Sequence, residues 1–171
     1  MKLVVTVYEE TCSSAIAAIR AIELPHDLVE VRAEKFASID YAGLRAATSK
    51  PIIVTVRGGI TPVEALERGM DYIDVEWPNR PEVPERTVYS HHDYEGMHDV
   101  EAILREMWAR GCAHTKLAAT PRTFGENERL LQLLGQAEAR PTSVIGMGER
   151  GLYSRILAPF IGSELAFVAA G

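Results

Sequence analysis

The feature that most restricts this chain is an alternation: short β-rich runs are interleaved with stretches of helical spacing almost without exception. The runs are Leu3–Val7, Asp27–Arg32, Pro51–Arg57, Asp71–Trp77, Thr87–His92, His114–Thr120, Thr142–Met147 and Leu165–Ala170. Each is rich in Val, Ile or Thr, as strands are. Between them, Ser13–Ile22 carries Ile16, Ile19 and Ile22 at helical spacing. Met97–Arg110 places Val100, Ile103, Leu104 and Met107 on one stripe, and Asn127–Ala139 does the same with Leu130, Leu131, Leu133 and Leu134. Shorter helices are expected at Tyr41–Thr48, Pro62–Arg68 and Gly151–Phe160.

Strands separated by helices pair in parallel through right-handed crossovers. Eight of them predict an α/β fold of the (β/α)₈ TIM-barrel type, with residues 1–171 as a single domain. Such barrels usually take about 200 residues or more, so this one is expected to be shortened. The saving has a visible place. Pro78–Glu85 reads P-N-R-P-E-V-P-E, and three prolines exclude a helix interior between the fourth and fifth strands. The sequence also stops at Gly171, just after the eighth strand, so a closing helix is expected to be absent.

Composition narrows the class. The chain is 47% hydrophobic and 25% charged, and its net charge of -6 argues against nucleic acid and anionic membranes as partners. No apolar run reaches the roughly 18 residues of a membrane span. The start, M-K-L-V-V-T-V-Y-E-E, turns acidic after eight residues and reads as a strand rather than a signal peptide. Cys12 and Cys112 have neither a CxxC nor a metal spacing, which fits a reducing cytoplasm.

In a barrel of this kind, chemistry gathers at the C-terminal ends of the strands. The polar residues there are Glu30 and Arg32, Arg57, Glu76, then His91, His92 and Asp93, followed by Lys116, Glu149 and Arg155. Lys116 is the one that needs a reason, because it interrupts an apolar strand, and burying an ammonium is costly. Three readings stand open: a structural ion pair with Glu30 or Glu76, an anchor for a phosphate or carboxylate, and a Schiff-base nucleophile. His92 is the natural proton carrier beside it, or else a hydrogen-bonded rim histidine. The H-H-D run lacks a third ligand at a recognisable spacing, so no metal is expected.

The blocks V-E-V-R (Val29–Arg32), T-V-R (Thr55–Arg57), D-Y-I-D-V-E (Asp71–Glu76), S-H-H-D-Y (Ser90–Tyr94), T-K-L-A-A-T-P (Thr115–Pro121) and G-L-Y-S-R-I-L-A-P-F-I-G-S (Gly151–Ser163) resemble, in this order, type I 3-dehydroquinate dehydratase. The resemblance implies dehydration of 3-dehydroquinate to 3-dehydroshikimate in the cytoplasm, without a cofactor or metal. It implies that Lys116 forms an imine with the substrate ketone and that His92 is the general acid and base. It further implies that Glu30 and Arg32 contact the substrate, that Arg57 is the third-strand substrate arginine and that Arg155 clamps the carboxylate. Thr6 takes the place of a small hydroxyl residue on the first strand, and His91 fills a variable position.

Two departures from that family pattern stand out. Arg57 runs straight into Gly58 and Gly59, where the family inserts a glutamate. The family also continues past the eighth strand into a loop that covers the substrate, followed by a helix. A homodimer partner, or a fused or associated shikimate dehydrogenase, is expected to supply that cover. Two competing readings follow: a lid-less barrel that binds a keto-acid or a partner enzyme without turnover, and a Schiff-base enzyme of the class I aldolase kind.

Overall fold

The computed structural model describes residues 1–55 and 62–170. By its internal contacts the chain falls into two compact parts, Lys2–Val75 with the residues from Phe167 on, and Glu76–Ala166. They are taken in turn.

The first part holds β1 (Lys2–Val7), α1 (Cys12–Arg20), β2 (Leu28–Arg32), α2 (Tyr41–Ala47), β3 (Ile52–Thr55), α3 (Pro62–Glu67) and nearly all of β4 (Tyr72–Glu76). Its strands are parallel, with Thr6 level with Glu30, Arg32 with Thr55, and Thr55 with Asp74. Because side chains alternate along a strand, this register sorts them into two faces. One face is aliphatic: Val5, Val29, Val31, Ile52, Val54 and Ile73 are all buried. The other is mixed: Val4, Leu28 and Ile53 lie on it with the polar Thr6, Glu30, Arg32, Thr55 and Asp74. Local caps set the helix starts: Thr11 Oγ1 accepts the Ser14 N–H at 3.2 Å, and Asp40 Oδ1 accepts that of Gly43 at 2.9 Å.

The second part contains β5 (Thr87–Asp93), α4 (Val100–Trp108), β6 (His114–Ala119), α5 (Phe124–Gly135), β7 (Thr142–Gly146) and α6 (Leu152–Ile161). The first residues of β8 (Leu165–Ala169) also belong to it. Ser90, Lys116 and Ser143 are level on the three parallel strands β5, β6 and β7. On one face of β6 and β7, Leu117, Ala119 and Val144 pack with Leu104 of α4, Leu130 and Leu134 of α5 and Ala158 of α6. Each fully buried Leu or Val of this kind stabilises the fold by about 1.5–3 kcal/mol. The opposite face holds Ser90, Lys116 and Ser143, all buried and all polar.

Three helix boundaries differ from expectation by three or more residues. Helix α5 starts at Phe124, three residues before Asn127, because Thr123 and Glu126 form a reciprocal capping box. It also ends at Gly135 rather than Ala139, and the chain then turns through Glu138 at φ 54. Helix α4 starts at Val100 rather than Met97, since the Asp93 carboxylate holds the N–H groups of Glu95, Gly96 and His98 in a turn. As the prolines predict, no α-helix links β4 to β5; Pro84–Arg86 forms a single 3₁₀ turn. Among the described residues, no helix is long and apolar enough to cross a membrane.

Candidate active site

Lys116 is the third residue of β6, and only 4% of it is exposed. Leu117 beside it anchors the strand in the helix-packed core, so Lys116 is turned to the other face. His92 lies two residues beyond Ser90 on β5, and Ser90 is level with Lys116. His92 therefore shares the lysine's face one diagonal step away, about 8 Å between backbones given the strand spacing and rise. His91 takes the opposite face, where its ring stands edge-on to Trp77 at 5.4 Å and burial pushes its pKa down. Even so, its Nδ1 lies 4.0 Å from Glu76 Oε1, so both histidines of the H-H-D run reach one carboxylate.

His92 is held by a residue that the sequence reading placed at a strand end without this role. Glu76, the last residue of β4, has Oε2 2.7 Å from His92 Nδ1, and its Oε1 accepts the His92 backbone N–H at 2.8 Å. Ser90 Oγ donates to the same carboxylate at 3.2 Å. Burial alone would raise the Glu76 pKa, but the hydrogen bonds from His92 and Ser90 outweigh it and hold the carboxyl below its ordinary value. A carboxylate facing Nδ1 fixes the ring proton there and leaves Nε2 with the lone pair. The signal was available in D-Y-I-D-V-E, because period two puts Asp74 and Glu76 on one face. Tyr94 stacks on His92 with ring centroids 5.9 Å apart and planes at 11°.

Below Lys116 on the same face sits His114, two residues earlier and buried. Its Nε2 lies 3.1 Å from Ser143 Oγ, and Nδ1 lies 3.4 Å from the half-exposed Glu164 carboxylate. Burial pushes its pKa down to about 3, and the Lys116 charge adds to that. This imidazole is neutral at ordinary pH and was not anticipated from the sequence.

Arg155 lies in the first turns of α6 and is exposed. The start of α6 is brought to the end of β7 by a backbone contact between Gly146 and Gly151. A Cβ on Gly151 would fall 2.2 Å from the Gly146 carbonyl carbon, so this corner admits only glycine.

In the other part, Thr6 Oγ1 donates to Glu30 Oε2 at 2.6 Å, joining two expected substrate contacts. Glu30 and Arg32 share a face, as predicted, but Arg32 Nε takes Glu34 Oε1 as a partner at 2.8 Å. Its guanidinium also lies over the Tyr8 ring, 5.6 Å from the centroid. Glu34 is a further residue that the sequence reading missed. Arg57 and the end of the third expected strand lie outside the described residues. A buried amine beside an imidazole of fixed tautomer can condense with a ketone and move a proton on the neighbouring carbon.

Comparison with known proteins bears on both fold and family. The family model for type I 3-dehydroquinase matches residues 3–171. A 3-dehydroquinate dehydratase of Methanothrix thermoacetophila is 30% identical over 162 residues, which cover 82% of this chain and 71% of that protein. A bifunctional 3-dehydroquinate dehydratase/shikimate dehydrogenase of Arabidopsis thaliana is 30% identical over 116 residues, or 60% of this chain and 19% of that one. The crystal structure of 3-dehydroquinate dehydratase from Geobacillus kaustophilus superposes with a TM-score of 0.83 at 23% identity, covering 99% of this chain and 82% of its own. The fold is therefore the TIM-type (β/α)₈ barrel that the strand–helix alternation predicts.

Proposed function

Because the chain belongs to the type I 3-dehydroquinase family, we propose that residues 1–171 work as one catalytic domain that converts 3-dehydroquinate to 3-dehydroshikimate through an imine on Lys116. The single observation that carries this reading is a buried lysine on the same face as His92, whose proton is set by Glu76.

The steps follow from those groups. Lys116 gives up one proton and adds to the C3 ketone as the free amine; that proton goes to the departing hydroxyl, so loss of water leaves a protonated imine. That imine is an electron sink, so the neighbouring C2–H becomes acidic. His92 Nε2 takes the C2 proton, and the electron pair moves into the imine to form an enamine. The pair then returns to expel the C1 hydroxyl, which leaves as water with the proton His92 had taken. Hydrolysis of the imine frees the product and restores the amine. A positioned acid–base residue contributes about 10²–10⁴-fold to such a sequence. Arg155 and Arg57 are assigned to the substrate carboxylate and hydroxyls, since a guanidinium fork matches a carboxylate bidentately. Thr6, Glu30 and Arg32 are assigned to substrate contact in this reading. A shikimate dehydrogenase would consume the product.

The test is continuous: the product is a conjugated enone, so its ultraviolet absorbance should rise when 3-dehydroquinate is added. Glu76→Gln should slow that rise by about 10²–10⁴-fold, because an amide cannot accept both the Nδ1–H and the backbone N–H of His92. Wild-type protein that is folded yet generates no enone would refute the assignment.

A further inference from the structure

The loops that follow β5, β6 and β7 are tied together on their helix side by two arginines. Arg150 Nη1 donates to the Arg122 carbonyl oxygen at 2.7 Å, and Arg122 Nη2 donates in turn to the Glu95 carbonyl. Asn127 Nδ2 donates to the Arg150 carbonyl at 2.9 Å, which closes the arrangement onto α5. These bonds leave further guanidinium N–H groups on both arginines; the Glu126 carboxylate accepts the Arg122 backbone N–H at 2.5 Å, and among the described residues no ion pair joins a carboxylate to either guanidinium.

Both arginines line a cleft of about 300 Å³, whose other walls are Thr123, Phe124, Asn127 and Tyr153. Phe124 is 59% exposed and Tyr153 39%, with ring centroids 4.7 Å apart. At the start of α5 the Thr123–Glu126 capping box serves the Thr123 and Glu126 N–H groups, and the charged side chains lining the cleft are the two arginines. This site is not the Lys116 face, because α5 packs on the opposite side of β6, against Leu117.

Two features of the cleft ask for a ligand. Two like charges lining one cleft repel each other, and a bound anion relieves that repulsion. An adjacent pair of exposed aromatic rings offers apolar area that a small ring can cover, and the volume lies at the small end of ligand sites. We propose that the cleft binds a small ring-bearing carboxylate, with its carboxylate on Arg122 and Arg150 and its ring against Phe124 and Tyr153. Two sources share this chemistry: the alicyclic substrate, held near the strand ends before it enters, and an aromatic acid acting as an effector. An effector there would act through the loops it bridges, one carrying Asp93 and Tyr94 beside His92 and another leading into the helix of Arg155.

The test is calorimetric titration of the whole chain with benzoate as the probe. Benzoate should bind wild-type protein and Lys116→Met alike, more weakly as salt is raised. Its affinity should fall at least tenfold in Arg122→Gln/Arg150→Gln. Phe124→Ser removes the apolar wall without touching a loop hydrogen bond and should cause a similar loss, so the outcome does not depend on the arginine variant folding. Quinate, a saturated ring carboxylate, identifies the source in the Lys116→Met protein: displacement of benzoate points to substrate staging, and failure to displace it points to an aromatic acid. No benzoate binding at millimolar concentration, or binding unchanged in both variants, would overturn the proposal. Neither result touches turnover at Lys116, so this site and the proposed activity stand or fall separately.

Discussion

Lys116→Met is expected to give a folded protein that no longer turns over 3-dehydroquinate. Methionine keeps the length and approximate volume of the lysine stem, and the strand is anchored from its other face by Leu117 and Ala119. Folding measured by circular dichroism should therefore persist. Activity has no such reserve. Without an amine there is no imine, the C2 proton loses its electron sink, and His92 has no acidic C–H to work on. The loss should exceed the roughly 10²–10⁴-fold attributable to a proton carrier alone. His92→Gln should fall within that range, so the two variants should rank in that order. Equal residual activity in both would mean that the lysine acts only as a charge. Ligand binding that survives in Lys116→Met, with no turnover in either protein, would favour the non-catalytic barrel.

The second large effect is on stability in acid. His114 has a pKa of about 3 in the folded chain, against an ordinary value of 6.5. Between those values the unfolded chain holds a proton that the folded chain refuses, so stability falls as pH drops below about 6.5. The slope for one such group is about 1.4 kcal/mol per pH unit, or on the order of 3 kcal/mol between pH 6.5 and pH 4. Against the roughly 5–15 kcal/mol of a typical domain, this is a large share. His91, whose pKa is also pushed down by burial, adds in the same direction. Glu76, held below its ordinary 4.5, gives stability that is lost only at lower pH, as its carboxylate is protonated.

His114→Leu should remove the His114 part of that slope at little cost near pH 7. Its partner Ser143 keeps two bonds without it, donating to the Leu165 carbonyl at 2.8 Å and accepting the Leu165 N–H at 2.9 Å. Denaturant unfolding at a series of pH values reads the difference directly. An unchanged slope in His114→Leu would show that the imidazole is already protonated in the folded protein. Lys116→Met should also soften the slope, since the lysine charge is the second cause of the low His114 pKa.

How much of this was legible beforehand depends on range. The eight strands and their helices follow from periodicity, which is local, and the proline-rich Pro78–Glu85 segment announced its missing helix equally locally. Helix ends were less visible, because they are set by caps: Thr123 with Glu126 started α5 early, and the Asp93 turn delayed α4. The site divides in the same way. Lys116 and His92 stood out because a lysine in an apolar strand and a histidine at a strand end are unusual for their surroundings.

Glu76 stood out as a polar strand end and a candidate partner of Lys116 but not as the holder of His92, and Glu34 and His114 did not stand out, since these roles depend on which side chains the fold brings together. Period two already puts His114 on the lysine's face of β6, but its burial against Ser143 and its approach to Glu164 depend on the neighbouring segments, which the sequence alone does not supply. Glu34 is two residues from Arg32 but lies in the turn after β2, where period two no longer says which side chains meet.

The most direct measurement is reduction of the working enzyme with borohydride in the presence of 3-dehydroquinate, followed by peptide mass mapping. An imine to the substrate would be frozen as a stable secondary amine, so the peptide containing Lys116 should carry the mass of the reduced substrate adduct and no other lysine should. A folded, active preparation whose Lys116 remains unmodified, or whose adduct sits on a different side chain, would contradict the account.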